Sequence, residues 1–242
     1  MRGLVERALS LLRRAGRGNA HTGTWSRGLE DEKAHWDRWF RTQGGEWAED
    51  YRRRLDPELP LGDYHRRFVD DLPQDEIRIL DVGAGPITLL GRTHPTKRIE
   101  IVATDALADE YDRIMQKYGV TPPVRTIYAQ AERLGKVFPA NSFDLVTAQN
   151  SIDHTFHPLR AIRQMLRVAK AGCYVLLNHT ENEADKEHNI GLHQWNFTVC
   201  DGDFVIRGPS VTWNVSRLLA AQGEFECSCR DGWVQVHIKK RP

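Results

Sequence analysis

Apolar residues after position 76 gather in five short runs, "IRILDV", "RIEIVATD", "VRTIYAQ", "FDLVTAQ" and "CYVLLN". Runs of this kind, largely unbroken by alternating polar positions, read as strands covered on both faces. Helical spacing lies between them. It is clearest in "HPLRAIRQMLRVAK", where Leu159, Ile162, Leu166 and Ala169 recur at three and four and Arg160, Arg163 and Arg167 are left for water. Pro158 suits the first turn of that helix and Gly172 is expected to close it. Strands joined by helices of this length pair in parallel through right-handed crossovers, so the expected class is a doubly wound α/β sheet.

The rhythm changes at both ends of the chain. "NVSRLLAAQG" predicts a helix, and "EFECSCR" and "WVQVHIKK" flank Asp231-Gly232, a hairpin signal that makes the last two strands antiparallel. Residues 1–75 are charged, helical in pattern and hold Trp25, Trp36, Trp39 and Trp47, four of the seven tryptophans. They predict a helical cap, with "LDPELPLG" as a linker to a domain over 76–242. Residues 179–210 form a long polar insertion after the fifth strand, where α/β proteins build substrate walls.

Length and composition fit one globular domain with a cap: 242 residues, 40% hydrophobic, net charge +1. That balance gives no footprint for nucleic acid. No apolar window is long enough to span a membrane, and Arg13 and Arg14 interrupt the start before a signal-peptide core develops, so a cytoplasmic protein is expected. The first 20 residues carry five arginines against one glutamate, which suits a docked basic helix or a contact with a membrane surface or partner. Cys173, Cys200, Cys227 and Cys229 show no metal-ligand spacing and are expected to be buried free thiols.

The chemistry-bearing stretch is "ILDVGAGP", residues 79–86. Glycines at a strand-to-helix turn let a ligand approach the backbone, and a following helix would offer free N–H groups. A dinucleotide turn fits poorly, because Thr88 stands at its third glycine and Pro86 removes a donor. Asp81 would oppose a pyrophosphate but suit an ammonium or sulfonium. Asp105 ends the second strand 22 residues beyond Gly83, the spacing at which an acid accepts ribose hydroxyls. The expected ligand therefore has a ribose and a positive charge.

"LDVGAGP", "ATDAL", "AQAERL", "FPANSFDLVTAQNSIDHTFHP", "KAGCYVLL" and the terminal hairpin together resemble a class I S-adenosylmethionine-dependent methyltransferase over roughly residues 76–240. The resemblance implies a Rossmann-like, seven-stranded, mostly parallel sheet with an antiparallel last strand. It also implies S-adenosylmethionine as cofactor and S-adenosylhomocysteine as product. Asp81, Gly83, Ala84 and Gly85 would lie at the methionine end, Asp105 and Ala106 at the ribose, Gln130 and Ala131 near the adenine, and Asn150 beneath the methionine portion. Two positions depart from the family pattern: Ile87 replaces a glycine, and Gln130 stands where many members carry an aspartate, although its amide oxygen can accept the same hydrogen bond.

Methyl transfer asks the protein to align an acceptor and exclude water, and oxygen acceptors of high pKa also need a base. His154, beside Asp153 and just past the fourth strand, is the candidate base or substrate contact, with packing or helix capping as the other account. His193 is a second candidate. Within "GLHQWNF", Gln194, Trp195 and Asn196 are candidate substrate groups, and Trp36 and Trp39 could close the site from the cap or simply pack its core. His179, His188 and His193 are spaced too loosely for a compact metal motif, so no metal is expected. The sequence thus predicts methylation of a small molecule, most simply at a hydroxyl. Nitrogen or peptide acceptors, a silent cofactor-binding scaffold and a nicotinamide-dependent oxidoreductase are the rivals.

Overall fold

The computed structural model describes residues 19–242. The basic segment at the very start of the chain lies outside the described residues. Helices α1 (Asn19–Arg41), α2 (Ala48–Leu55) and α3 (Asp63–Asp70) come first. A seven-stranded sheet follows: β1 (Glu76–Val82), β2 (Arg98–Asp105), β3 (Thr126–Tyr128), β4 (Phe143–Gln149), β5 (Ala169–Thr180), β9 (Gly223–Arg230) and β10 (Trp233–Lys240). Helix α4 (Ala108–Lys117) joins β2 to β3, and α5 (Pro158–Val168) joins β4 to β5.

The sheet order is β3-β2-β1-β4-β5-β10-β9. The first five strands are parallel, and β10 runs antiparallel to both β5 and β9. All five apolar runs are therefore strands, and the Asp231-Gly232 hairpin forms, with positive φ at both residues. The order reverses between β1 and β4, so a crevice opens beyond their carboxyl ends.

Several local expectations give way to tertiary packing. No helix follows the glycine turn: residues 83–97 are irregular, because Pro86, Gly91 and Pro95 interrupt any helical register. The sheet face left bare there is covered instead by α3, whose Phe68 and Val69 pack with Leu90 on Ile77, Ile79, Leu145 and Leu176. The supposed linker is likewise structural, with Leu59 and Leu61 buried and Pro60 bridged to Thr93. Helix α5 stops at Val168 and the chain turns directly into β5, so Gly172 sits inside that strand at φ 76° and caps nothing. Of "NVSRLLAAQG" only α7 (Val215–Leu218) is helical.

The polar insertion also folds. It holds α6 (Glu183–Lys186) and a small antiparallel sheet of β6 (Asn196–Cys200), β7 (Asp203–Arg207) and β8 (Thr212–Asn214). Phe197, Phe204 and Ile206 join the core of the main domain from this sheet. Among the described residues no helix is long and apolar enough to cross a membrane.

Candidate active site

A cleft of about 750 Å³ lies over the carboxyl ends of β1, β2 and β4. Its floor is the glycine turn. Gly83 has φ 71°, and a Cβ there would stand 2.4 Å from Ser151 Cβ, so only glycine lets the turn pass beneath the loop after β4. Asp81, Gly83, Ala84, Gly85, Asp105, Ala106, Gln130, Ala131, Asn150 and His154 all line this one space, as the residue pattern and the family resemblance require.

Two carboxylates set the charge of the floor. Asp81 is buried, and its Oδ2 accepts a bond from Thr88 Oγ1 at 2.5 Å. Burial pushes its pKa up to about 6, against the pull of Thr88 and Arg54. Asp105 is also pushed up to about 6 by burial, although it accepts from Leu107 N at 2.8 Å and Gly85 N at 3.1 Å. The second bond ties the acid of β2 to the glycine turn of β1. Two ionisable acids facing a cavity, rather than paired with each other's counter-charges, suit a ligand that brings hydroxyl donors and a cation.

The cap supplies one wall. Leu29, Glu32 and Trp36 recur at three and four on α1, so all three reach the cleft from one helix face. Trp36 Nε1 donates to Glu32 Oε1 at 2.7 Å, and its ring packs edge-on against the buried Tyr111. Arg54 of α2 adds a cation beside Asp81, held by Asp50 Oδ2 at 2.7 Å and Ile87 O at 2.7 Å. Glu32 and Arg54 were not singled out from the sequence; the spacing of residues 29, 32 and 36 was the available signal for the first, and nothing local marks the second. Trp39 does not face the cleft, since it is buried between Phe40 and Tyr51 in the cap's own core.

The acceptor end is built from three separate stretches. His154 follows β4, and its Nε2 lies 3.2 Å from His193 Nδ1 and 3.4 Å from Asp153 Oδ2. His193 Nδ1 lies 3.8 Å from Glu183 Oε1 of α6. Behind them the fully buried His179 of β5 holds Asp153 Oδ1 at 3.2 Å. Burial disfavours the His154 cation, but Asp153, Glu32 and Glu183 outweigh it and raise its pKa. Burial also disfavours ionised Asp153, yet the His154 charge and the His179 bond hold its carboxyl below the usual range.

The other expected substrate groups serve structure instead. Gln194 is buried and donates to Asn189 O and Gly191 O, closing the insertion's turn. Trp195 stacks on Trp213 and donates to Thr155 O, and Asn196 bonds Asp185 at both ends of its amide. From this stretch Leu192 reaches the cleft and His193 joins the cluster at its end. His188 is exposed, apart from both.

A doubly wound sheet with an acid-flanked glycine turn at its switch point and an acid at the end of the neighbouring strand has the layout in which such sheets hold nucleosides, and the two acids suit one that carries positive charge. Residues 80–177 match the family described as "Methyltransferase domain". The ubiquinone/menaquinone biosynthesis C-methyltransferases UbiE of Pseudomonas aeruginosa and Stutzerimonas stutzeri are each 35% identical, over 132 and 134 residues, covering 50% of this chain and 50% of theirs. The chain thus spans about half the length of the curated relatives it matches. Among solved structures, the CurJ carbon methyltransferase (TM-score 0.53, 15% identity, 74% of this chain and 52% of that one) shares the fold. So does the CMeT domain of the citrinin polyketide synthase (TM-score 0.53, 18% identity, 74% and 51%). Residues 80–177 are thus similar to a methyltransferase domain, a domain whose cofactor is S-adenosylmethionine.

S-Adenosylmethionine fits the residues present: the Asp105 carboxylate would accept from the ribose hydroxyls, and Asp81 would face the positively charged end. Asp105→Ala leaves those hydroxyls without an acceptor and frees the amides of Gly85 and Leu107. Affinity for S-adenosylhomocysteine, measured by calorimetry, is expected to fall by about 1–3 kcal/mol; an unchanged affinity would remove Asp105 from the cofactor site.

Proposed function

We propose that the protein transfers the methyl group of S-adenosylmethionine to an ionisable oxygen of a small molecule held between the cap and the folded insertion. The observation that carries this reading is the meeting of His154, Asp153 and His193 at one end of the cofactor cleft. S-Adenosylmethionine, when bound, supplies the electrophilic sulfonium methyl. Asp81 and Asp105 hold its charged and ribose portions, while Trp36, Leu29 and Leu192 shield the reacting end from water. The His154 cluster receives the acceptor's hydroxyl and favours its deprotonated form, which an in-line displacement requires.

A carbon acceptor activated by such an oxygen is the second reading, favoured by the C-methyltransferase names of the 35%-identical relatives. It makes the same demand on the cluster, since removing the hydroxyl proton also loads the adjoining carbon. Mass spectrometry of products from a panel of phenols, enolisable ketones and sugars distinguishes the two by the position of the added methyl.

His154→Ala is expected to lower turnover by about 10²–10⁴-fold while leaving S-adenosylhomocysteine affinity within twofold. Full retained turnover would move the acceptor elsewhere in the cleft. Failure to bind either form of the cofactor would remove the methyltransferase reading altogether.

A further inference from the structure

The cluster at the acceptor end contains more than the His154 pair requires. Asp153, His154, Glu183 and His193 each offer one ligand atom, and these four atoms lie within 4.8 Å of one another. A divalent ion held tetrahedrally at bonds of about 2.0–2.1 Å keeps neighbouring ligand atoms roughly 3.3 Å apart. The separations here are 3.2 Å for His154–His193, 3.4 Å for His154–Asp153 and 3.8 Å for His193–Glu183. Three of the six separations thus already approach the required spacing, and the others, none above 4.8 Å, need only small side-chain adjustments.

A second observation is independent of the spacing. Asp153 is 1% exposed, and its Oδ2, on the side of the cluster, is faced by His154 Nε2 at 3.4 Å and by the Glu183 carboxyl, with no dedicated donor of its own. Glu183 Oε2 is buried without one as well. Two carboxylates crowded beside each other in one small, poorly hydrated space repel when ionised, and a cation between them relieves that repulsion. Meanwhile the other oxygen of Asp153 is held by the buried His179, the arrangement by which an outer residue aims a metal ligand. Asp185 on α6, two residues from Glu183, is bonded to Asn196 of β6 through both its backbone and its carboxylate, which ties α6 to the insertion's sheet.

We propose that Asp153, His154, Glu183 and His193 form a binding site for a divalent first-row transition metal, placed to hold the acceptor oxygen beside the methyl donor. Two imidazoles with carboxylates select zinc, iron, cobalt or nickel over magnesium or calcium, which prefer oxygen alone. His154 lines the cofactor cleft, so a fifth coordination position, opened as the tetrahedral set expands, would face the acceptor. A hydroxyl bound there loses its proton to solvent because the cation stabilises the oxyanion. The oxygen–methyl bond then forms as the methyl–sulfur bond breaks, with the electron pair remaining on sulfur.

This inference rests on the acceptor end being where the proposed function puts it, and its test is separable from that reading. Protein freed of any polyhistidine tag and stripped with a chelator is titrated with Co²⁺, followed by its visible ligand-field bands, and with Zn²⁺ by calorimetry. One equivalent is expected to bind at micromolar affinity or better. His193→Ala and Glu183→Gln should each weaken it at least tenfold, while His188→Ala in the exposed part of the insertion leaves it unchanged. S-Adenosylhomocysteine binding, measured on each variant, reports on folding and on the cofactor site alone. Absence of saturable metal binding, or equal affinity in the His193 and Glu183 variants, overturns the metal site and leaves the methyltransferase reading standing.

Discussion

Asp81→Asn is expected to yield a more stable protein that has lost its grip on the cofactor. The acid is buried at the cleft floor, faced by Thr88, Arg54 and Asp105, and burial lifts its pKa to about 6. A carboxyl whose folded pKa lies above its unfolded value binds its proton more tightly when folded. Its ionisation therefore costs nothing below about pH 4, costs progressively more as pH rises to about 6, and stays constant above that. At pH 7 the cost amounts to about 2–3 kcal/mol. Asparagine removes it and can still accept the Thr88 bond, so thermal midpoints should rise by several degrees at pH 7 and coincide with the parent's at pH 4.

Cofactor binding should move the opposite way. The cationic end of S-adenosylmethionine favours ionised Asp81, so affinity in the parent protein falls as pH drops through 6, by roughly tenfold at pH 5. Asp105, also lifted to about 6, contributes a similar loss where its proton blocks a ribose hydroxyl. In Asp81→Asn the neutral-pH affinity starts low and the pH dependence is shallower. Calorimetry between pH 5 and 8 checks both; a variant with parental affinity at pH 7 would show that Asp81 does not meet the charged end.

The second large effect is structural. A Cβ on Gly91 would stand 1.9 Å from Pro60 O, 2.1 Å from Pro60 C and 2.4 Å from Leu61 N. All three are backbone atoms, so no side-chain rotation relieves the clash. The loop after β1 is tied to the segment before α3 at this point, by Leu61 N to Thr93 O at 2.9 Å and Arg92 N to Leu59 O at 2.6 Å. Gly91→Ala is therefore expected to cost about 3 kcal/mol, lowering the thermal midpoint by about 10 °C. Because the same loop begins at the glycine turn, cofactor affinity should drop with it. A midpoint within 2 °C of the parent's would mean that the two segments separate easily.

How far the sequence could be read depended on whether a signal was local. The five strands of the parallel half declare themselves, since a strand buried on both faces has to be apolar throughout. The hairpin does so because Asp-Gly accepts the positive φ that a tight turn imposes. The cofactor residues were legible for a related reason: Asp81, Gly83, Gly85 and Asp105 sit on consecutive strand ends, and the parallel register Val82↔Thr104 brings those ends together. Their spacing along the chain is their spacing in the cleft.

The remaining features depend on contacts between distant segments, which local pattern cannot encode. A helix is expected directly after the glycine turn, but Pro86, Gly91 and Pro95 prevent one, and α3 from before the sheet takes the vacant face. Trp36 and Trp39 lie three residues apart on α1, and only the packing of that helix decides that the first meets the cleft and the second Tyr51. Glu183 and His193 gain meaning because the insertion folds into its own sheet and carries them 30 and 39 residues along the chain to Asp153 and His154. The chain by itself thus determined the strands, the glycine turn and the acid that ends the second strand, because each is set by neighbours in sequence. Tertiary structure alone decided which cap residues wall the cleft and which four groups share its far end, because burial and charge at those positions come from partners that only folding supplies.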